Sequence, residues 1–328
     1  MKAIVLSGGG SKGSYQIGAW KALRELKIDY DIVTGTSVGS INGALMVQNN
    51  YKETVKLWKQ INMQMLFGDD VENPKNSKEL VKIYGSNFVK NGGMDVEKLQ
   101  NLINNTVDEK KFFESKINYG LVTANLSERK VVQLKKDQIP KGKLCDYIMA
   151  SASCYPAFKL KNIDGNKYID GGMFDNLPIN LAIDLGATEI IAIDLSAIGI
   201  IKRPKKKVKI TKIKPNNKLT NFLDFNEEGS KRNMKFGYND TMKVFNKLVG
   251  KKYSFKPKNF EQKINEYKDI FLYNLTTIIN HDDLMSLINL EKINLESFIL
   301  RTCEQIGLDF KIEETNIYTF KEFNKLLL

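Results

Sequence analysis

The chain has one histidine among 328 residues. It is His281, in Ile278-Ile-Asn-His-Asp-Asp-Leu284, far from every other motif. A serine–histidine–acid triad would need this tail to fold back over a distant site. A multi-histidine metal centre is excluded outright. Cysteine is almost as scarce. Cys145, Cys154 and Cys303 are too widely spaced for a zinc pair or a disulfide framework, which predicts a reducing, cytoplasmic setting. There is also no apolar run long enough for a signal peptide or a membrane span, so any membrane association is expected to be peripheral.

Acidic residues are the minority charge. The formal net charge is +12, from 50 Lys and Arg against 38 Asp and Glu. The excess is uneven. Residues 1–196 hold 25 basic and 22 acidic residues (+3), and residues 197–328 hold 25 and 16 (+9). At 42% hydrophobic and 10% aromatic, the chain can build a sizeable core. Its length suits one large domain with an appendage.

The stretch Tyr30-Asp-Ile-Val-Thr-Gly-Thr-Ser-Val-Gly-Ser-Ile-Asn-Gly43 carries the strongest chemical signal. Ile32 and Val33 predict a short buried strand, and Ile41, Ala44 and Leu45 predict a helix. Between them Gly35-Thr36-Ser37-Val38-Gly39 fits G-x-S-x-G. A strand that turns sharply into a helix through a serine needs small neighbours, here Gly35 and Gly39. Such a turn lifts the Ser37 hydroxyl to a helix N-terminus, where developing negative charge is favoured. That is a setting for a nucleophile.

An earlier glycine loop follows the first predicted strand, Ala3-Ile-Val-Leu6. It reads Ser7-Gly8-Gly9-Gly10-Ser11-Lys12-Gly13 and leads into a helix with Tyr15, Ala19, Ala22, Leu23 and Leu26 at helical spacing. Consecutive backbone N–H groups at a helix start form an anion cradle. Gly8, Gly10 and Gly13 fit the dinucleotide pattern, but the second strand ends in Gly-Thr-Ser rather than an acid, with Asp29 and Asp31 at its beginning. A phosphate loop would want Gly-Lys-Ser, and Lys12 lies on the wrong side of Gly13. An oxyanion hole for acyl transfer needs a nucleophile at the end of the neighbouring strand, where Ser37 stands. A non-catalytic or nucleotide-binding protein that uses the loop for phosphate is the alternative reading.

The βαβα order predicts a doubly wound α/β sheet. Residues 51–115 read as mainly helical. Val96, Leu99, Leu102, Ile103 and Val107 form a core-facing stripe behind a cap at Asp95, and 66–91 is a candidate channel wall. Two strands are expected between Tyr119 and Leu134, and a helix over Leu144–Ala152. A strand pair brackets Asp164-Gly165, a helix follows from Ile179 to Leu185, and a closing strand runs from Glu189 to Leu195. Asp170-Gly171-Gly172 falls at a strand end, where sheets of this class keep their chemistry. With His281 set aside, the proton acceptor for Ser37 must be a carboxylate acting directly. Asp170 fits best, with Asp175 and Asp194 as reserves. An ordinary aspartate of pKa near 4 is a weak base for an alcohol. It needs a short hydrogen bond, a dry pocket and strong oxyanion stabilisation.

Gly8-Gly-Gly-Ser-Lys-Gly13, Gly35-Thr-Ser-Val-Gly39 and Asp170-Gly-Gly172, followed by Asp175-Asn-Leu-Pro178, resemble the patatin-like phospholipase family. The resemblance covers roughly residues 3–196. It implies a three-layer α/β/α fold with a mainly parallel central sheet. It further implies Ser37 as nucleophile, Asp170 as base, and an oxyanion hole from the Gly9 and Gly10 amides with help from Gly8. Lys12 stands where the family carries a basic residue. Gly13, Gly35, Gly39, Gly171 and Gly172 complete the motifs. No metal or other cofactor is implied. The expected substrate is a phospholipid, lysophospholipid or other acyl-ester lipid.

Residues 197–328 are expected to form a separate, basic, mainly helical extension serving as a cap, membrane-association region or homodimer surface. Within it, 202–214 holds eight basic residues and no acid, a candidate contact for anionic membranes. No zinc or recognition-helix pattern supports nucleic-acid binding. Leu284, Leu287, Leu290 and Ile293 suggest an amphipathic helix.

Overall fold

Ala3 to Leu6 is wholly buried, as a central strand covered on both faces must be. It belongs to strand β1 (Lys2–Leu6) of the computed structural model, which describes residues 1–68, 77–257 and 295–326. His281 and the apolar positions 284–293 lie outside the described residues. The other strands of the main sheet are β2 (Ile32–Thr36), β3 (Asn118–Asn125), β4 (Lys130–Lys135), β5 (Lys161–Ile163), β6 (Asn166–Asp170), β7 (Glu189–Ile193) and β8 (Lys209–Ile213). The order is β5-β6-β3-β2-β1-β7-β8, with β4 also paired to β3. The strands from β3 through β8 along this order are parallel, and β4, β5 and β6 are antiparallel additions. The mainly parallel α/β fold expected from the sequence is present.

Helices α1 (Ser14–Glu25), α2 (Val38–Val47), α3 (Tyr51–Gln60), α4 (Met63–Phe67), α5 (Ser77–Asn91), α6 (Glu97–Thr106), α7 (Glu109–Glu114), α8 (Leu144–Ala152), α9 (Gly172–Asp175), α10 (Ile179–Asp184) and α11 (Glu227–Val244) connect or follow these strands. The N-cap of α6 is Val96 rather than the expected Asp95, whose carboxylate accepts from Glu97 N–H at 2.9 Å one residue earlier. Among the described residues no helix is long and apolar enough to cross a membrane.

The pairing of β3 is what positions the chemistry. Gly120, Leu121 and Val122 pair with both β2 and β4, so these two strands flank opposite edges. Thr123, Ala124 and Asn125 pair with both β4 and β6. Hence β2 and β6 share one edge of β3 and meet tip to tip. Thr36 ends β2 opposite Val122, and Asp170 ends β6 opposite Thr123.

The structure corrects the boundary expected at residue 196. The first compact unit runs from Met1 to Thr241, and the second from Met242 to Leu328. Part of the basic run is strand β8, paired in parallel along β7. The strand Glu189–Leu195 therefore does not complete the sheet. In β8, Ile210 packs with Val208 against the core cluster built around β1 and β7, Ile213 on the opposite face is fully buried, and Lys209 and Lys212 remain exposed. Its lysines are partly neutralised, Lys209 by Glu189 at 3.0 Å and Lys214 by the buried Asp194 at 2.9 Å.

Helix α11 also belongs with α1. A Cβ at Gly18 would lie 1.8 Å from the Met234 carbonyl oxygen, and one at Gly237 would lie 1.9 Å from that of Tyr15. The two backbones touch, and the buried Tyr15 hydroxyl reaches Asp240 at 3.0 Å. In the second unit, the parallel pair Ser254–Phe255 and Ile317–Tyr318 packs with Tyr253, Cys303, Phe320 and Phe323. Phe255 stacks on Phe320 at 4.7 Å.

Replacing Gly237 by leucine should lower stability by about 1–3 kcal/mol, because the overpacked crossing must open. Denaturant unfolding of the whole chain measures this. An unchanged midpoint would contradict the close α1–α11 contact.

Candidate active site

Ser37 sits between the last residue of β2 and the first of α2, with φ 55° and ψ −128°. Few non-glycine residues occupy this region, and it costs energy that the surroundings must offset. The neighbours that allow the turn are the two motif glycines. A Cβ at Gly35 would come within 2.1 Å of the Gly39 carbonyl oxygen, and one at Gly39 within 2.4 Å of the Leu6 carbonyl oxygen. The carbonyl of Ser37 accepts from Ser40 N–H and from Ser40 Oγ, at 2.8 and 2.6 Å, starting α2.

Two serines at the end of α8, absent from the sequence expectations, clamp the two strand tips. Ser37 N–H donates to Ser151 Oγ at 2.9 Å, and Ser151 Oγ donates to the Val122 carbonyl at 2.7 Å. Asp170 N–H donates to the Ser153 carbonyl at 3.0 Å. One helix end therefore holds both residues. The only sequence signal was the small-residue run Ala150-Ser-Ala-Ser153, which composition alone does not distinguish from helix packing.

Asp170 is buried, and the Ser37 side chain lies close enough to its carboxylate to favour the ionised form. Gly172 N–H donates to Asp170 Oδ1 at 2.6 Å. Burial pushes the Asp170 pKa up to about 6, although the Ser37 side chain and the Gly172 amide pull the other way. Gly171 lies over Val122, its α-carbon pressed toward that carbonyl. Of the reserve carboxylates, Asp194 is tied to Lys214. Asp175 is buried with neither oxygen hydrogen-bonded by a side chain or backbone group at close range, and burial raises its pKa to about 6.

The glycine loop follows β1 as a turn of 3₁₀ helix, Gly10–Gly13, leading into α1. Its amides are not equivalent. Gly8 N–H already donates to the Asn176 carbonyl at 3.1 Å, and Ser11 N–H to the Phe222 carbonyl at 2.9 Å. Gly9 and Gly10 have no backbone N–H partner among the described residues. The expected help from the Gly8 amide is thus not supported, because that hydrogen is spent on Asn176. Gly8 instead packs on the nucleophile's turn, where a Cβ would lie 3.1 Å from that of Ser37. Gly10 has φ +54° and abuts the Phe222 carbonyl.

A buried polar network fixes the loop to α2. Asn42 Nδ2 donates to the Gly13 carbonyl at 3.0 Å and to Gln16 Oε1 at 2.8 Å, and Trp58 Nε1 donates to Asn42 Oδ1 at 3.0 Å. Gln16, in turn, donates to the Ser7 carbonyl at 2.8 Å. Lys12 is half-buried, and desolvation lowers its pKa.

Ser37 and Gly10 line an almost wholly apolar cleft with a cavity volume of about 60 Å³. Its walls include Ile41 and Leu45 of α2, Trp58 of α3, Leu99, Leu102 and Ile103 of α6, and Phe158 and Phe225. Of the stripe read as core-facing, Ile103 and Val107 are buried, and Leu99, Leu102, Ile103 and Val107 also line this cleft. Of the candidate channel segment 66–91, Leu66 lines it, and residues 69–76 lie outside the described residues.

The protein-family model described as patatin-like phospholipase matches residues 4–183. Patatin-like phospholipase domain-containing protein 7 of Mus musculus is 29% identical over 201 residues, 60% of this chain and 14% of that protein. Lysophospholipase nte1 of Aspergillus terreus is 28% identical over 200 residues, again 60% of this chain and 12% of that protein. This chain thus matches only about one-seventh of the length of these curated relatives. Among solved structures, VipD from Legionella pneumophila superposes with a TM-score of 0.50 at 14% identity, covering 99% of this chain and 82% of that one, a likeness of fold.

Because the pKa of Asp170 rises on folding, its protonated form is the one that folding favours. Its contribution to stability is full below the unfolded pKa of about 4 and is lost as pH rises through about 6. Asp170→Asn should therefore be at least as stable as the parent at pH 7, and the difference should shrink as the pH falls toward 4. Melting curves across that range test it, and a variant markedly less stable at pH 7 would refute the buried charge.

Proposed function

The chain belongs to the patatin-like phospholipase family, and from that premise we propose that it is a serine lipid acyl hydrolase, cleaving fatty-acyl esters of phospholipids or lysophospholipids through a Ser37–Asp170 dyad. The observation that carries this reading is the strained Ser37 turn at the tip of β2 meeting the buried Asp170 at the tip of β6, beside an apolar cleft that Ser37 lines.

Asp170 takes the Ser37 proton as Oγ attacks the ester carbonyl carbon. The tetrahedral oxyanion is met by the Gly9 and Gly10 amides, aided by the N-terminal end of α2. The carbon–oxygen bond to the alcohol breaks, and the proton held by Asp170 passes to the leaving oxygen. Water, deprotonated by Asp170, then attacks the acyl-serine carbonyl, the bond to Ser37 Oγ breaks to release the fatty acid, and the proton on Asp170 returns to Oγ. A pKa near 6 makes Asp170 a stronger base than a solvated aspartate, yet it stays ionised at neutral pH. The apolar cleft gives the acyl chain its place. Leu45 lies eight residues beyond Ser37, about 12 Å along α2 at 1.5 Å per residue, so the cleft extends well past the reacting carbon.

The dinucleotide alternative is not supported by the surroundings of the glycine loop. The loop faces Ser37 and an apolar wall, and no acid ends β2.

Ser37→Ala should remove fatty-acid release and labelling by a fluorophosphonate while preserving the fold. Peptide mapping should place the label of the parent on Ser37. Full release by Ser37→Ala would sink the proposal. The kcat/KM profile should rise with pH through an apparent pKa of about 6 and then level off. An acid limb unmoved from pH 4 would mean that a different group is the base. Leu45→Phe should raise KM for long-chain esters and leave short-chain esters nearly unaffected. An equal effect on both would remove the cleft from acyl recognition.

A further inference from the structure

After β7 the chain crosses the turn that carries Asp170. Ile200 N–H donates to the Gly172 carbonyl at 3.1 Å, and Asn176 N–H donates to the Ile200 carbonyl at 2.6 Å. A Cβ at Gly199 would lie 2.8 Å from the Gly172 carbonyl oxygen. The segment is thus laced by its backbone to the turn beside the dyad. Its side chains face outward. Ile198 is 100% exposed, Ile200 55% and Ile201 45%, and Met173, on the turn itself, is 62% exposed. Exposed to water, these four apolar groups gain little from the fold.

Lys202, Arg203, Lys205, Lys206 and Lys207 follow at once, all exposed. Lys205 pairs with Asp184, and Lys202 lies near enough to Asp175 to lower its pKa. Arg203, Lys206 and Lys207 have no acidic side-chain partner among the described residues. Unpaired cations beside uncovered aliphatic side chains match the interface of an anionic bilayer, whose charge attracts the lysines and whose acyl boundary accepts the isoleucines. Nucleic acid would use the lysines but has no use for the isoleucines.

We propose that Ile198–Lys207, together with Met173, docks the chain on an anionic lipid bilayer. This moves the expected contact from 202–214 toward the N-terminus, because Lys209 and Lys214 are paired within the sheet region, and adds an apolar component that charge counting did not show. That docking delivers lipid to the Ser37 cleft rests on the hydrolase reading above. The docking itself does not.

The test uses the full chain carrying Ser37→Ala, sedimented with vesicles of phosphatidylcholine alone or with about one-third phosphatidylserine. It should bind the anionic vesicles preferentially, and less at high salt. Ile198→Glu with Ile201→Glu, and separately Lys206→Glu with Lys207→Glu, should each weaken binding about tenfold. The same pairs in the Ser37 chain should leave hydrolysis of a soluble short-chain ester within about twofold. Docking without ester hydrolysis would refute the hydrolase reading and uphold this one, and hydrolysis without docking would do the reverse. Equal binding to neutral and anionic vesicles, or binding unchanged by both pairs, would overturn the proposal. So would self-association in the absence of vesicles that the isoleucine pair abolishes, which would assign the strip to a second copy of the chain.

Discussion

The rest of the site depends on two strand tips sharing one edge of β3. A parallel strand, β2, pairs with the first part of that edge and an antiparallel strand, β6, with the remainder. The tips close on adjacent register positions, Val122 and Thr123, so residues 133 apart in sequence (170 − 37) become neighbours. No long side chain and no mobile loop has to bridge them. Sheet register is strongly specified where a strand face is buried, so the placement of the two strand tips inherits the precision of the core.

That arrangement stores unfavourable terms in a small volume. Ser37 holds a backbone conformation that most residues avoid, and Asp170 holds a charge that burial disfavours. Both are held by the end of α8, through Ser151 on the Ser37 amide and the Ser153 carbonyl on the Asp170 amide. Ser151 also bonds to Val122, the residue opposite the β2 tip. A single helix end thus links both tips and the strand between them, and movement of one is resisted by the others. The Asn42–Gln16–Trp58 network serves the glycine loop in the same way, tying it to the helix that starts at Ser37.

The order of strands and helices around Ser37 and the glycine loop was legible because buried parallel strands read as short apolar runs and their turns require glycine. The position of Asp170 at a strand end was legible for the same reason. The tip-to-tip meeting was not, since it depends on which edge of β3 each strand takes, and nothing local encodes that. Ser151 was invisible because a serine in an apolar helix looks alike whether it packs or clamps. The stripe on α6 was read as core because a cleft wall and a core face show the same periodicity. The boundary at 196 failed because lysine-rich β8 was weighed by its charge. The apolar positions within that lysine-rich run, Val208, Ile210 and Ile213, were the better guide, and the glycines of α11 gave no sign of the backbone they touch.

The raised pKa of Asp170 gives the burial a chemical meaning in the proposed reaction. A base gains strength as its pKa rises, yet only its ionised fraction can act. At about 6, Asp170 is roughly two units more basic than a solvated aspartate and still ionised about ten to one at pH 7. Deeper burial without the nearby Ser37 side chain and the Gly172 amide would raise the pKa further and leave the carboxyl protonated. Full solvation would keep it ionised and weak. The Gly172 amide therefore tunes the base as well as forming the turn. Since Ile200 bonds to the carbonyl of that same residue, the outer strip and the carboxylate are joined through a single glycine.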